Sequence, residues 1–136
     1  FNYGYALLEG EVWRVVHYAG LDPYGGFLHV DRPGRPSMVL DLMEEFRQQL
    51  IDKTVVSLVT KGSVSANDFE MVEGVCKMND ATRRLLLRTV LKSFEEYVRY
   101  EDEKRRWTDM ILLQARNLAK YLRGEAAAYE GFCLRW

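Results

Sequence analysis

With 136 residues and 48% hydrophobic content, the chain is long and apolar enough for one domain with a real core, which excludes a disordered segment. A formal net charge of −1 and a pI of about 6.2 exclude a globally basic nucleic-acid binder but not a local basic patch. The cysteines Cys76 and Cys133 form no C-x-x-C pair, no apolar run approaches the roughly 20 residues of a membrane span, and there is no signal-peptide pattern. No thiolate metal site and no membrane association are therefore expected, and a reduced intracellular compartment is the default.

The first residue is Phe1 rather than Met, and the opening stretch already reads as helix. The expectation is a piece of a longer polypeptide. In the first helix Tyr5, Leu8, Val12, Val15, Val16 and Ala19 fall near one face, and Gly20 is a natural stop. Residues 20–36 hold all three prolines of the chain together with Gly20, Gly25, Gly26 and Gly34, which makes this the one long loop. Ser37 follows Pro36 as an N-cap candidate. The helix after it is apolar on Val39, Met43, Phe46 and Leu50 and polar on Asp41, Glu45, Gln48 and Asp52, with Glu44 at the edge of the polar stripe. It should run to about Thr60 and end at Lys61-Gly62-Ser63.

Residues 64–80 carry no decisive pattern; Ser65-Ala66-Asn67-Asp68 suits the cap of a short helix ending at Gly74. Asn79 or Asp80 then caps a strong helix with Leu87, Val90, Leu91, Phe94 and Val98 on its buried stripe. A further helix has Trp107, Met110, Ile111, Leu118 and Leu122 inward and stops near Gly124. Residues 101–106 are a charge run rather than a turn signal, which leaves open whether the last two helices are separate. No strand alternation or repeat stands out. The reading is all-α: residues 1–136 as a single helical domain of four to five main helices with one long Gly/Pro-rich loop.

The loop-to-helix junction carries the chemistry. The loop delivers His29, and the helix opens with Asp41, Glu44 and Glu45 in its first turns. Neutral imidazole plus carboxylate oxygens is a normal ligand set for Mn²⁺ and a possible one for Mg²⁺. Asp41 and Glu44, at i and i+3, are neighbours on a helix surface. Acidic residues near a helix start are equally explained by its dipole, worth roughly 0.3–1 kcal/mol.

Three stretches carry a family resemblance: Asn2-Tyr3-Gly4-Tyr5-Ala6-Leu7-Leu8; Ala19-Gly20-Leu21-Asp22-Pro23-Tyr24-Gly25-Gly26-Phe27-Leu28-His29; and Leu40-Asp41-Leu42-Met43-Glu44-Glu45-Phe46-Arg47. Asp68-Phe69 and the closing Phe132-Cys133-Leu134-Arg135-Trp136 match softer, later landmarks. Together they resemble the C-terminal helical domain of the CRISPR adaptation integrases, the Cas-one family. The resemblance implies a prokaryotic, cytoplasmic enzyme of antiviral defence that joins short DNA segments into a CRISPR array by metal-assisted transesterification. Its partners would be double-stranded and branched DNA, a second copy in a homodimer, and the small dimeric Cas-two protein. The cofactor would be a divalent cation, Mn²⁺ or Mg²⁺. The family's metal-binding histidine falls on His29 and its last carboxylate on Glu44. Asp41 matches a further acidic position and would act from behind a ligand. The family's first glutamate lies upstream of Asn-Tyr-Gly-Tyr and is absent here, as are its N-terminal β-rich domain and the start of the helical domain.

Arg47 suits either a carboxylate or a DNA phosphate. Many relatives have proline at the places held here by Glu45 and Gln48, so this helix is expected to continue more regularly and Glu45 to face solvent. Arg32 and Arg35, beside the proposed metal, favour DNA contact. Arg83, Arg84, Arg88 and Lys92 favour a solvated face. Tyr24 and Phe27 favour pinning the loop to the core over stacking on a base; Trp13 and Trp107 favour the core, and His17 a core or surface position. Two other readings stay open: a non-catalytic DNA-binding or assembly module, and a casposase-type transposon integrase, which shares this domain.

Overall fold

The computed structural model describes residues 1–26 and 32–134. Helix α1 spans Asn2–Tyr18 and buries Leu8, Val12, Val15 and Val16 completely, the stripe its spacing demands. It ends where a left-handed Gly20 (φ 72°) lets Gly20 N donate to His17 O and Leu21 N to Val16 O, satisfying carbonyls left over at the helix end.

The second rod is one helical path in three pieces: α2 (Ser37–Arg47), a π-helical turn (Gln48–Asp52) and α3 (Lys53–Thr60). It ends at Lys61-Gly62-Ser63 as expected, with Ser63 N bonded to Leu58 O. Two expectations change. Ser37 is not the cap: it lies inside the first turn, fully buried, its hydroxyl without a partner among the described residues. The loop's own carbonyls replace it, Arg35 O accepting from Ser37 N and Pro23 O from Met38 N. Nor does the helix continue regularly past Arg47. The π turn begins at Gln48, and its additional residue puts both Leu50 and Ile51 into the core.

The chain is mainly helical but not all-α. Residues 69–78, where a short helix was expected, form a hairpin of β1 (Phe69–Val72) and β2 (Val75–Met78), with Phe69 opposite Met78. Gly74 is a turn residue rather than a helix stop; Glu73 and Gly74 have φ of 51° and 78°, as a tight hairpin turn requires. Asp68 closes the hairpin base by accepting from Ser65 N and from Asn79 Nδ2, and Asn79 caps α4 (Asp80–Glu95) through Thr82 N. The charge run is a second hairpin, β3 (Tyr97–Tyr100) against β4 (Glu103–Arg106), turning at Glu101-Asp102 with φ of 51° and 62°. It separates α4 from α5 (Trp107–Leu122), which stops before a left-handed Gly124.

The core lies where α1 packs on α2, α4 and α5. Phe46 is its centre, edge-on to Trp107 and stacked on Phe132 at 5.1 Å between ring centroids. On α4 the buried stripe is Thr82, Leu86, Val90, Ser93 and Phe94; Leu87 is half-buried and Leu91 exposed, while Val98 is buried from β3. Leu122 is also exposed, in the final turn of α5, and Trp13 is only half-buried. No helix among the described residues is long and apolar enough to cross a membrane.

The approach of α1 to the π turn at Gly4 sets a clear test. A Cβ at Gly4 would sit 2.6 Å from Ile51 Cγ2, whose side chain is fully buried, whereas one at Gly10 on the same helix would meet nothing within 4 Å. Gly4→Ala should destabilise by about 1–3 kcal/mol through overpacking, and Gly10→Ala should stabilise by about 0.5–1 kcal/mol through helix propensity. Urea midpoints of the two variants check this; equal stabilisation by both would show that Ile51 yields.

Candidate functional site

Asp41, Glu44 and Glu45 sit within four positions of α2, yet the fold gives them three different environments. Asp41, expected on a polar face, is fully buried. The first turn of α2 is enclosed there, with Ser37, Met38, Val39 and Leu42 buried around it and Met38 tied to Pro23 across the loop. A carboxylate covered this completely stays ionised only with charge-assisted partners, so its orientation is set by its surroundings.

Glu44 points outward, its side chain 39% exposed, and pairs with Arg47 at 3.3 Å. The Arg47 guanidinium lies over the Tyr5 ring, 5.4 Å from its centroid, and Tyr5 Oη donates to Asp52 Oδ1 at 2.6 Å. That hydrogen bond, helped by desolvation, holds the Tyr5 proton above the usual phenol range. The opening Asn-Tyr-Gly-Tyr thus has a physical role: Gly4 brings α1 against the π turn, and Tyr5 steadies the arginine that faces Glu44.

Glu45 does not face solvent. It is half-buried and accepts from Tyr129 Oη, from Phe132 N at 2.8 Å and from Gln114 Nε2 at 3.1 Å. The polar stripe was read as open because nothing local covers it; residues 125–134 return from the far end of the chain to do so. Burial, then the bond to Glu45, pushes the Tyr129 phenol far above its ordinary value. The signals for this were present in Tyr129 and the closing Phe132, but their partner lies more than 80 residues away. This terminal segment and α2 together line a depression of about 260 Å³ that includes Glu44, Gln48, Gln49 and Cys133.

Arg32 and Arg35 are the first and last residues of a turn through Pro33 and Gly34 (φ 76°), closed by Arg35 N to Arg32 O just before α2. Arg32 is exposed and Arg35 half-buried. Tyr24 packs edge-on against Trp13 at 5.9 Å, pinning the loop to α1. His17 is exposed on the last turn of α1. On α4, Arg83 pairs with Asp80, and Arg84, Arg88 and Lys92 are exposed. Phe27, His29, Arg135 and Trp136 lie outside the described residues. Among the described residues no group of three or more His, Cys, Asp or Glu side chains is gathered to hold a metal. Glu44 fits a cation as an exposed carboxylate, but alone it is one ligand and not a site.

Residues 1–92 match the family model of CRISPR associated protein Cas1. A protein named CRISPR-associated endonuclease Cas1 from Archaeoglobus fulgidus is 44% identical over 99% of this chain and 39% of its own length. Another so named, from Thermus thermophilus, is 39% identical over 96% of this chain and 40% of its own. The chain therefore spans about two fifths of the length of these curated relatives. The solved structure of a casposase bound to integration product superposes with a TM-score of 0.85 at 32% identity, over 95% of this chain and 38% of that one.

The Glu45 anchor yields a prediction in two parts. Glu45→Ala strands three donors and should cost roughly 1–3 kcal/mol while speeding amide exchange in residues 129–134 before that of α1. The raised Tyr129 proton adds a pH signature. Its folded pKa lies above the unfolded value of about 10, so its contribution is full below that pH and is lost as the pH rises through and beyond it. Urea midpoints should fall above about pH 10, and Tyr129→Phe should shrink that alkaline slope.

Proposed function

The chain belongs to the family of the CRISPR associated protein Cas1, and from that premise we propose that it is the C-terminal helical part of a metal-dependent DNA integrase and endonuclease that joins spacer DNA into a CRISPR array. The observation that carries this reading is Glu44. It is an outward carboxylate on α2, oriented by the Arg47–Tyr5–Asp52 chain.

In this reading the 3′-hydroxyl of one DNA strand attacks a phosphodiester of another. A P–O bond forms to the incoming oxygen, the bond to the departing 3′-oxygen breaks, and the attacking proton passes through solvent to the leaving group. His29 and Glu44 would hold a divalent cation, Mn²⁺ or Mg²⁺, together with a carboxylate from upstream of Asn2; bound there, the cation supplies positive charge to the phosphate. Asp41, with no access to solvent, suits an orienting role better than direct ligation. Arg47 keeps Glu44 aimed outward until a stronger cation competes for it. Arg32 and Arg35, at the two ends of one turn, would engage DNA phosphates. Such chemistry needs mainly positioning and charge neutralisation. Double-stranded and branched DNA, a second copy of the protein and the Cas2 protein are the partners this reading requires.

A second reading follows from how much of the curated relatives the chain spans, about two fifths of their length. This chain on its own would then be a DNA-binding or assembly module. The casposase likeness keeps a transposon integrase within the enzyme reading.

Mn²⁺-dependent strand transfer on a branched DNA substrate tests these readings. In the full-length protein His29→Ala and Glu44→Ala should each lower the rate by at least about 100-fold, and Asp41→Asn by about 10- to 100-fold, with folding retained. Unchanged catalysis in the first two variants defeats the proposal. Product from the full-length protein but none from residues 1–136 alone assigns the second reading to this chain.

A further inference from the structure

A cleft of about 350 Å³ runs between α3 and α4, away from the loop-helix junction. Lys53 and Lys61 line it from the α3 side and Lys92 from α4; among the described residues the one carboxylate on its wall is Glu96. Lys53, Ser57 and Lys61 recur every four residues and so form one stripe on the helical path. All three lysines are exposed, and none has an ion pair among the described residues. Of the carboxylates near these lysines in sequence, Asp52 is engaged by Tyr5, Asp68 by Ser65 and Asn79, and Glu95 by Arg106, while Glu96 stands on the wall itself. In a chain whose formal charge is nearly balanced, three lysines against one carboxylate make this wall locally cationic.

The cleft neighbours the depression beside Glu44, and Gln49 lines both. At about 1.5 Å per residue, Lys53 lies roughly 14 Å and Lys61 roughly 26 Å along the rod from Glu44. With phosphates about 3.4 Å apart along the axis of each strand of a duplex, that interval spans several nucleotides. The chemistry also argues against a protein occupant, because lysine is depleted at protein–protein contacts, whereas ammonium groups on long stems suit repeated phosphates.

We propose that the α3–α4 cleft is a second DNA-contact surface, in which Lys53, Lys61 and Lys92 grip the backbone of a strand running away from Glu44. This rests on the reading that the protein acts on DNA. The test is fluorescence anisotropy of a labelled duplex with the full-length protein across a series of KCl concentrations. Replacing all three lysines by Gln should lower the slope of log Kobs against log salt by about 2–3, because each lost phosphate contact removes about 0.9, and should weaken binding at least about tenfold at low salt. The Lys→Arg triple variant should keep the slope, since charge is retained. Coincident thermal unfolding checks folding; if the Gln triple variant unfolds, single Lys→Gln variants should each remove about one unit. An unchanged slope overturns the cleft. If Glu44→Ala meanwhile abolishes strand transfer, the integrase reading survives that failure; if no form of the protein binds the duplex, both fall.

Discussion

Gly4 and Ile51 touch so closely that one added methyl group would collide, and that contact locates α1 against the second rod. The π turn makes it possible, because its extra residue swings Ile51 into the core while Asp52 stays near the surface. Tyr5 follows Gly4 by one residue and therefore meets Asp52, and its ring lies beneath Arg47. A carboxylate on the surface, Glu44, is thus aimed by a backbone contact in the interior. The strength of each link matters. Core overpacking costs about 1–3 kcal/mol, but an exposed ion pair such as Glu44–Arg47 contributes only about 0–1 kcal/mol. The scaffold is firm and the last link weak, which lets Glu44 exchange its arginine for another cation at little cost.

Adjacent residues on one helix are used in opposite ways. Glu44 is half in solvent and held by one arginine, whereas Glu45 is tied by Tyr129, Phe132 and Gln114. The second arrangement fastens the terminal segment, and through it Phe132, onto Phe46 and Trp107. Because Cys133 and Leu134 border the depression beside Glu44, the closing segment forms one wall of the proposed reaction site as well as a cover for the core.

The two hairpins do different work. β1–β2 is bracketed by Asp68 and Asn79, so its base also starts α4. β3–β4 carries Tyr97 with Lys104 and Arg106 against its ring, and Trp107 N bonds to Glu96 O across its ends. It thereby sets where α5 leaves α4 and where Trp107 enters the core.

The existence of the main helices and their glycine-marked stops were legible from the amino acids because their causes are local. The three- and four-residue spacing of Leu8, Val12, Val15 and Val16, and the glycines at 20, 62 and 124 with positive φ, act within one or two turns. The family resemblance was legible for the same reason: it rests on contiguous motifs. The hairpins were not legible. Four-residue strands are too short to display alternation, and Glu101-Asp102 turns the chain without the glycine that usually marks such a turn. Nor could periodicity tell Asp41 from Glu45, or Leu86 from Leu87. It gives the phase of a helix about its own axis, while burial depends on which distant segment arrives to cover a face. Residues 125–134 and the loop end at Pro23 made that decision for α2, and only the folded chain brings them there.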